Sequence, residues 1–292
     1  ALLDSYPGDR MMVGEVYTLD TALAGKYYGH DDELHLVLNL SLVNLPWDPQ
    51  LMRGYVEGFE AGLPELAHPT VVLGSHDEPR LATRVGGRQA RTAAMLLLTL
   101  RGAPFMYYGD EIGMTDGPIP ENRLRDPWPK TAGLPHLSRD PARTPMQWEA
   151  APGAGFSPAA ANTDRPEPWL PINPDYRQRN VQAQLADPRS QLSLYRRLLQ
   201  LRRSSPALHT GSYRPAAGAP EGTYIYYRSN GTQEFLVALN FAPAEVMLQL
   251  EDARSGQLLL STELDREESV RLSRCALRAH EGIVIELSAT PR

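Results

Sequence analysis

The sequence predicts an α/β fold followed by an all-β antiparallel C-terminal domain. Three observations predict it. Short apolar strands alternate with amphipathic helices over residues 1–108, an aperiodic stretch rich in Pro, Trp, Arg and Asp follows at about 109–188, and the chain turns β-rich after Pro206. Strand–helix–strand repetition implies parallel strands joined by crossover helices. The pattern alone permits an open doubly wound sheet or half of a closed barrel.

The elements are read in order. Met11 to Val16 is a buried strand that ends in polar residues, and His35 to Leu42 is a second, with Leu36, Leu38, Leu40 and Leu42 on one face at period two. Asp48 followed by Pro49 is an N-cap with proline at the first helical position. The helix it opens carries Met52, Tyr55, Val56 and Phe59 at three-to-four spacing and ends near Gly62. A third strand, Thr70 to Leu73, runs into Gly74-Ser75-His76-Asp77. The Ala- and Leu-rich segment Gln89 to Arg101 is a helix stopped by Gly102, and Pro104 to Tyr108 is a fourth strand. Within residues 109–188, Trp128, Trp148 and Trp169 favour an ordered, packed loop over disorder. Gln191 to Arg203 is a helix with Leu192, Tyr195, Leu198, Leu199 and Arg202 marking its faces; its Arg196, Arg197, Arg202 and Arg203 read as a solvated face. Asn230-Gly231 between Thr223–Tyr227 and Glu234–Leu239 is a hairpin signal, and a last strand runs through Gly282–Leu287. The domain boundaries expected are 1–206 and 207–292.

The composition is that of an ordinary globular protein, 42% hydrophobic and 22% charged over 292 residues. A net charge of −6 argues against a nucleic-acid partner. No apolar run approaches the ~20 residues of a membrane span, so the expected location is cytoplasmic. Cys275 is the single cysteine and reads as a small buried residue. The chain opens on Ala1 inside what reads as a folded unit, so upstream sequence is expected.

Glu15 and Asp77 each lie at or just beyond the carboxyl end of a predicted strand. In parallel β/α architectures that is where a site forms, and two carboxylates there suit acid and electrostatic roles in glycosidic cleavage. On spacing alone, helix capping explains them as well. The histidines, among them His30, His35, His68, His136, His209 and His280, show no metal-binding spacing.

Gly74-Ser75-His76-Asp77-Glu78-Pro79-Arg80 resembles the fourth signature region of the α-amylase superfamily (glycoside hydrolase family 13), and Arg10–Val16 resembles its third. Gly109–Met114 is a further family feature. Ser138–Trp148, with Asn173-Pro174-Asp175-Tyr176, is similar to the oligo-1,6-glucosidase, α-glucosidase (maltase) and trehalose-synthase branch. The resemblance implies the second half of a (β/α)8 TIM barrel, strands 5–8, ahead of the β-domain.

It also implies roles. Glu15 is the general acid/base, Asp77 the carboxylate that grips sugar hydroxyls and stabilises the transition state, and His76 a donor to the same ring. Arg143 binds the terminal glucose. An acid that must hold its proton would gain from desolvation by Met11 to Val13. Ser75 stands where the family has asparagine, putting one supporting hydrogen bond in doubt. The nucleophilic aspartate has no match, since Asp4 and Asp9 lack its context; without it the chain alone is expected to be inactive. Its partners are then an α-linked oligosaccharide or disaccharide and the N-terminal half of the barrel. No cofactor or metal is implied. The function expected is retaining α-glucosidase chemistry; the alternatives are a glucosyl transferase, a trehalose-forming isomerase or a non-catalytic amylase-like binding domain. Asp110 and Glu111 read as loop-fixing, Tyr107 and Tyr108 as barrel packing, and Arg139 with Asp140 as loop scaffolding.

Overall fold

The computed structural model describes residues 3–16, 18, 20–29, 33–64, 67–157, 168–248, 250–251 and 254–288. His30 lies outside them. The chain forms two compact units, one of residues 1–73, 95–105 and 198–292, the other of residues 74–94 and 106–197.

In the first unit, β1 (Val13–Glu15) pairs in parallel with β2 (Leu36–Leu38). A second parallel pair joins β3 (Thr70–Val72) to β4 (Ala103–Phe105). The Thr70 hydroxyl links the two pairs: it donates to the Val37 carbonyl at 2.6 Å and accepts from the Asn39 amide at 3.2 Å. Val72 and Phe105 pack with Leu38, Leu40 and Val43. The helix Pro49–Gly62 forms as its cap predicts, with an Asp48 carboxylate oxygen accepting from the Leu51 amide at 2.9 Å and Met52, Val56 and Phe59 buried.

Three expected strands are shorter than read. Met11, Met12 and Val13 are 62%, 41% and 38% exposed, so the first is not a buried strand. Among the described residues β1 pairs only with β2, and a strand covered on one edge keeps much of its surface wet. The second ends at Leu38, because the Asn39 side chain accepts from the Ser41 amide at 2.9 Å and turns the chain into a short helix, Ser41–Asn44. Its leucines do not alternate: Val37, Leu40, Leu42 and Val43 are all buried. The fourth strand stops at Phe105, leaving Tyr107 and Tyr108 to a different task.

The C-terminal part builds a six-stranded antiparallel sheet. Its members are β5 (Ser212–Pro215), β6 (Thr223–Ser229) and β7 (Glu234–Asn240), then, beyond β8 (Val246–Met247), β9 (Ser255–Ser261) and β10 (Glu268–Arg271) and, beyond β11 (Ala276–Leu277), β12 (Gly282–Leu287). The spatial order is β10-β9-β12-β7-β6-β5, and β8 pairs with β11 apart from it. Asn230 and Gly231 sit in the β6–β7 hairpin as expected, the Asn230 side chain accepting from the amides of Thr232 and Gln233. One face carries Ile225, Leu236, Leu258, Ile283 and Ile285, which pack with Leu248, Leu272, Leu277 and the buried free Cys275. The other face of β6 is buried too, with the Tyr226 hydroxyl 2.6 Å from that of Thr99.

The helix Gln191–Ser204 follows its predicted span. Its arginines are not one solvated face, and Leu199 does not mark a buried one, being 42% exposed. Arg202 is buried and donates to the carbonyls of Leu98, Leu100 and Gly102, closing off the C-terminal end of the helix Gly87–Thr99.

In the second unit, the described part of the aperiodic stretch is ordered by short turns. It holds the short helices Pro127–Ala132 and Val181–Ala186 and several 3₁₀ turns, and Val181 packs against buried Ile112, Met114 and Met146. A polar network holds the turns together. Gln147 Nε2 donates to the Asp175 carboxylate and the Arg179 carbonyl, both at 2.7 Å, and Arg179 bridges Asp175 to the Gly113 carbonyl.

Candidate active site

After β3 the chain runs through Gly74, Ser75, His76 and Asp77 without helix until Leu81. Ser75 is buried, and its hydroxyl accepts from the Asp77 amide at 3.2 Å, fixing the turn that presents Asp77. The Asp77 side chain stays 31% exposed and can meet a ligand.

Two arginines converge on one of its oxygens. Arg139 Nη1 donates to Asp77 Oδ1 at 2.9 Å and Arg143 Nη2 to the same atom at 2.8 Å. His76 Nε2 lies 3.4 Å from it. Arg143 Nε also donates to the His76 carbonyl at 2.8 Å. Three of the four predicted residues, His76, Asp77 and Arg143, are therefore brought together within one unit.

Arg139 corrects the reading of it as loop scaffolding alone. Its fork grips Asp126: Nε donates to Oδ2 at 2.7 Å, Nη2 to Oδ1 at 2.8 Å, and the Arg139 amide to Oδ2 at 3.1 Å. That leaves Nη1 for Asp77. The Asp126 side chain is fully buried, and the Arg139 hydrogen bonds hold its carboxyl well below the usual carboxylate range. Asp140 does act as scaffolding, its Oδ2 accepting from the Asp126 amide at 2.9 Å and from that of Arg125. Asp77, Asp126, Arg139 and Arg143 are formally neutral as a set. Asp77 is thus a pinned carboxylate with Oδ2 taking none of these bonds, an arrangement suited to accepting hydrogen bonds from hydroxyl groups.

Tyr107 and Tyr108 do more than pack. The Tyr107 hydroxyl donates to the Ala142 carbonyl at 3.2 Å and the Tyr108 hydroxyl to the Thr144 carbonyl at 2.7 Å, one on each side of Arg143. Behind them Gly109, at φ +89°, turns the chain so that Glu111 Oε2 accepts its amide at 2.7 Å. Asp110 is buried, and burial raises its carboxyl to about 7 against the opposing pull of Arg80. Trp148 and Trp169 are 49% and 50% exposed, while their carbonyls accept from the Gln182 amide and Arg125 Nε.

Glu15 belongs to the first unit, where it is the last residue of β1, registered opposite Leu38, and exposed. The apolar shielding expected from Met11 to Val13 is not there, since those residues are exposed. Among the described residues no group of three or more His, Cys, Asp or Glu is placed to hold a metal ion, and no helix is long and apolar enough to cross a membrane.

Sequence reasoning missed Arg139 as an Asp77 ligand, Asp126 as its anchor, and the tyrosine hydroxyls. A usable signal was present for one of them: Arg139 precedes Arg143 by four residues across the turn Asp140–Arg143, which puts both guanidinium groups within reach of one carboxylate.

The chain is similar to known proteins along most of its length. An α-glucosidase of Pediococcus pentosaceus is 33% identical over 80% of the chain, and an oligo-1,6-glucosidase of Halalkalibacterium halodurans is 30% identical over 94%. The chain spans about half the length of these relatives, 48% and 54%. The trehalulose synthase MutB of Pseudomonas mesoacidophila MX-45 superposes with a TM-score of 0.84 at 27% identity, over 98% of this chain and 56% of that one. An isomaltulose synthase from Erwinia rhapontici NX5, solved with its natural substrate sucrose, gives 0.83 at 25% identity, over 96% and 56%. The alpha-amylase catalytic-domain model matches residues 1–211, and the chain belongs to the alpha-amylase family.

Proposed function

We propose that the chain is the C-terminal part of a retaining α-glucosidase that hydrolyses terminal α-glucosidic bonds of disaccharides or short oligosaccharides. In this reading β1 to β4 are strands 5–8 of a (β/α)8 barrel, residues 1–206 are its second half, and residues 207–292 form the terminal β-domain. The observation that carries it is the pinned carboxylate of Asp77, bonded by Arg143 and Arg139 and flanked by His76. Homology to α-glucosidases along most of the chain supports the same chemistry.

Asp77 accepts hydrogen bonds from sugar hydroxyls through Oδ2, the oxygen the arginines leave, a grip that tightens as the ring flattens and gains positive charge. His76 donates to the same ring, and Arg143 fixes the end of the chain. Glu15 gives its proton to the leaving glycosidic oxygen as the bond to the anomeric carbon breaks. An aspartate outside this sequence takes that carbon as an ester. In the second half, the Glu15 carboxylate removes a proton from water, the water oxygen displaces the ester, and glucose leaves with its configuration retained. Exposure of Glu15 on β1 fits a group that meets both leaving group and water.

A second reading, isomerisation by transfer of the glucosyl group to a hydroxyl instead of water, is favoured by the likeness to the two sucrose-isomer synthases. Assay of the native protein on maltose, isomaltose, sucrose and trehalose separates the two by product. In an active preparation Glu15→Gln is expected to lower kcat at least ~100-fold; an unimpaired variant overturns the acid/base assignment.

A further inference from the structure

We propose that Arg80, Tyr107 and Tyr108 form a brace that positions Arg143 against Asp77. The proposal deepens the reading above, since it concerns what holds the sugar-gripping carboxylate in place.

Arg80 lies three residues after Asp77 and its side chain is completely buried. Its Nη1 donates to the Tyr108 carbonyl at 2.7 Å, and its guanidinium carbon lies 5.1 Å from the Tyr107 ring centre and 4.8 Å from that of Tyr108. The rings meet edge to face at 4.7 Å. Their hydroxyls hold the carbonyls of Ala142 and Thr144, on either side of Arg143. Arg143 then returns to the starting loop, donating to the His76 carbonyl and to Asp77, both at 2.8 Å. The connections close a ring: Asp77 to Arg80 through the chain, Arg80 to the tyrosines, the tyrosines to the backbone around Arg143, and Arg143 to Asp77.

The residue types fit that task better than packing. Burying an arginine with unmatched donors is costly, and Arg80 Nε and Nη2 are buried without a hydrogen-bond partner among the described residues. Leucine or methionine would fill the space without that penalty. What arginine adds is a rigid plane that attracts two ring faces while donating to the carbonyl of one of them. Tyrosine in place of phenylalanine adds the hydroxyls that reach the Arg143 turn. The Arg80 amide is tied separately, donating to Asp116 Oδ1 at 2.8 Å, so the brace is anchored at its root. These are positioning residues: none of the three bonds Asp77 directly.

The test removes the hydroxyls alone. In the Tyr107→Phe/Tyr108→Phe variant of this chain, hydrogen exchange of the Arg143 Nε–H, bonded to His76, is expected to speed up at least tenfold. Exchange of the Arg139 Nε–H, bonded to Asp126, is expected to stay within twofold, which general loosening of the unit would not allow. Unchanged exchange at Arg143, or equal acceleration at both arginines, overturns the brace. Arg80→Met is expected to reproduce the selective effect, and Arg80→Lys to leave it in place because lysine lacks the planar fork. The sugar reading is decided separately by titrating the wild-type chain with glucose and following the Asp77 carboxyl resonance. Absence of a response there sinks the reading of Asp77 as a sugar ligand, while the exchange comparison still decides the brace.

Discussion

Asp110 offers a stability test whose sign follows from burial. The residue is 3% exposed, its Oδ1 has no hydrogen-bond partner among the described residues, and its Oδ2 lies where a side chain on Gly74 would otherwise intrude, 2.8 Å from that glycine's projected Cβ. The charges that face it are Arg80 and Arg84, which favour ionisation, and Glu111, which opposes it; the Tyr195 phenol, also buried, stays neutral. Burial prevails and the carboxyl titrates at about 7, against 3.8 in the unfolded chain. Between those values the folded protein holds a proton that the unfolded chain releases, so stability falls as pH rises through the interval. A shift of this size corresponds to roughly 4 kcal/mol in full, and between about pH 5 and about pH 8 the wild-type chain loses most of it, about 3 kcal/mol. Asp110→Asn mimics the protonated acid and has no such loss. The variant is expected to gain about 3 kcal/mol on wild type between those two pH values. Loss of the Arg80 counter-charge does not confound the comparison, because protonated wild type has lost it as well. Urea denaturation at both pH values measures the difference, with the slope checked for a common unfolded state. A gap between the two proteins that is the same at both pH values refutes the reasoning.

Two further predictions concern the arginine clamps. Asp126→Asn keeps one acceptor of the Arg139 fork and turns the other into a donor facing a donor, and is expected to cost about 2 kcal/mol at neutral pH. Because the Asp126 carboxyl is held below its unfolded value, that stabilisation is present above the ordinary carboxylate range and fades as pH falls; a deficit that persists undiminished in acid contradicts the assignment. Arg202→Met leaves the carbonyls of Leu98, Leu100 and Gly102 without their donor and is expected to cost about 3 kcal/mol in chemical denaturation, an effect below ~0.5 kcal/mol being incompatible with the cap.

The readable parts of this chain were those set by local chemistry. Asp48-Pro49 marks its helix start because capping and a fixed φ act over three residues, and the β6–β7 hairpin is visible in Asn230-Gly231 for the same reason. What the sequence hid depends on partners far along the chain. Leu36 to Leu42 has the alternation of a strand, but Asn39 competes for the backbone and the leucines beyond it are buried on a short helix. Arg202 shares a helix with arginines that are exposed, and only the position of three carbonyls a hundred residues earlier separates it from them. At the site, motif resemblance picked out His76, Asp77 and Arg143. Arg139 reads in sequence as loop scaffolding because nothing nearby marks its partners, which stand 13 and 62 residues away.

The end of the run that resembles the family branch, Ser138 to Trp148, acts through its backbone and the buried Gln147 amide. Thr144 offers its carbonyl to Tyr108, Gln147 ties Asp175 to the Arg179 carbonyl, and Trp148 exchanges backbone bonds with Ala154 and Gln182. Asn173, from the second characteristic run, donates to the Thr115 carbonyl at 3.1 Å and accepts from the Asp175 amide. A stretch with no apolar periodicity is thereby ordered by polar bonds, most of them partly buried. Such a network is intolerant of substitution in a way that an apolar core of adjustable volume is not. Hydrogen-bond geometry thereby constrains the segment that carries Arg139 and Arg143.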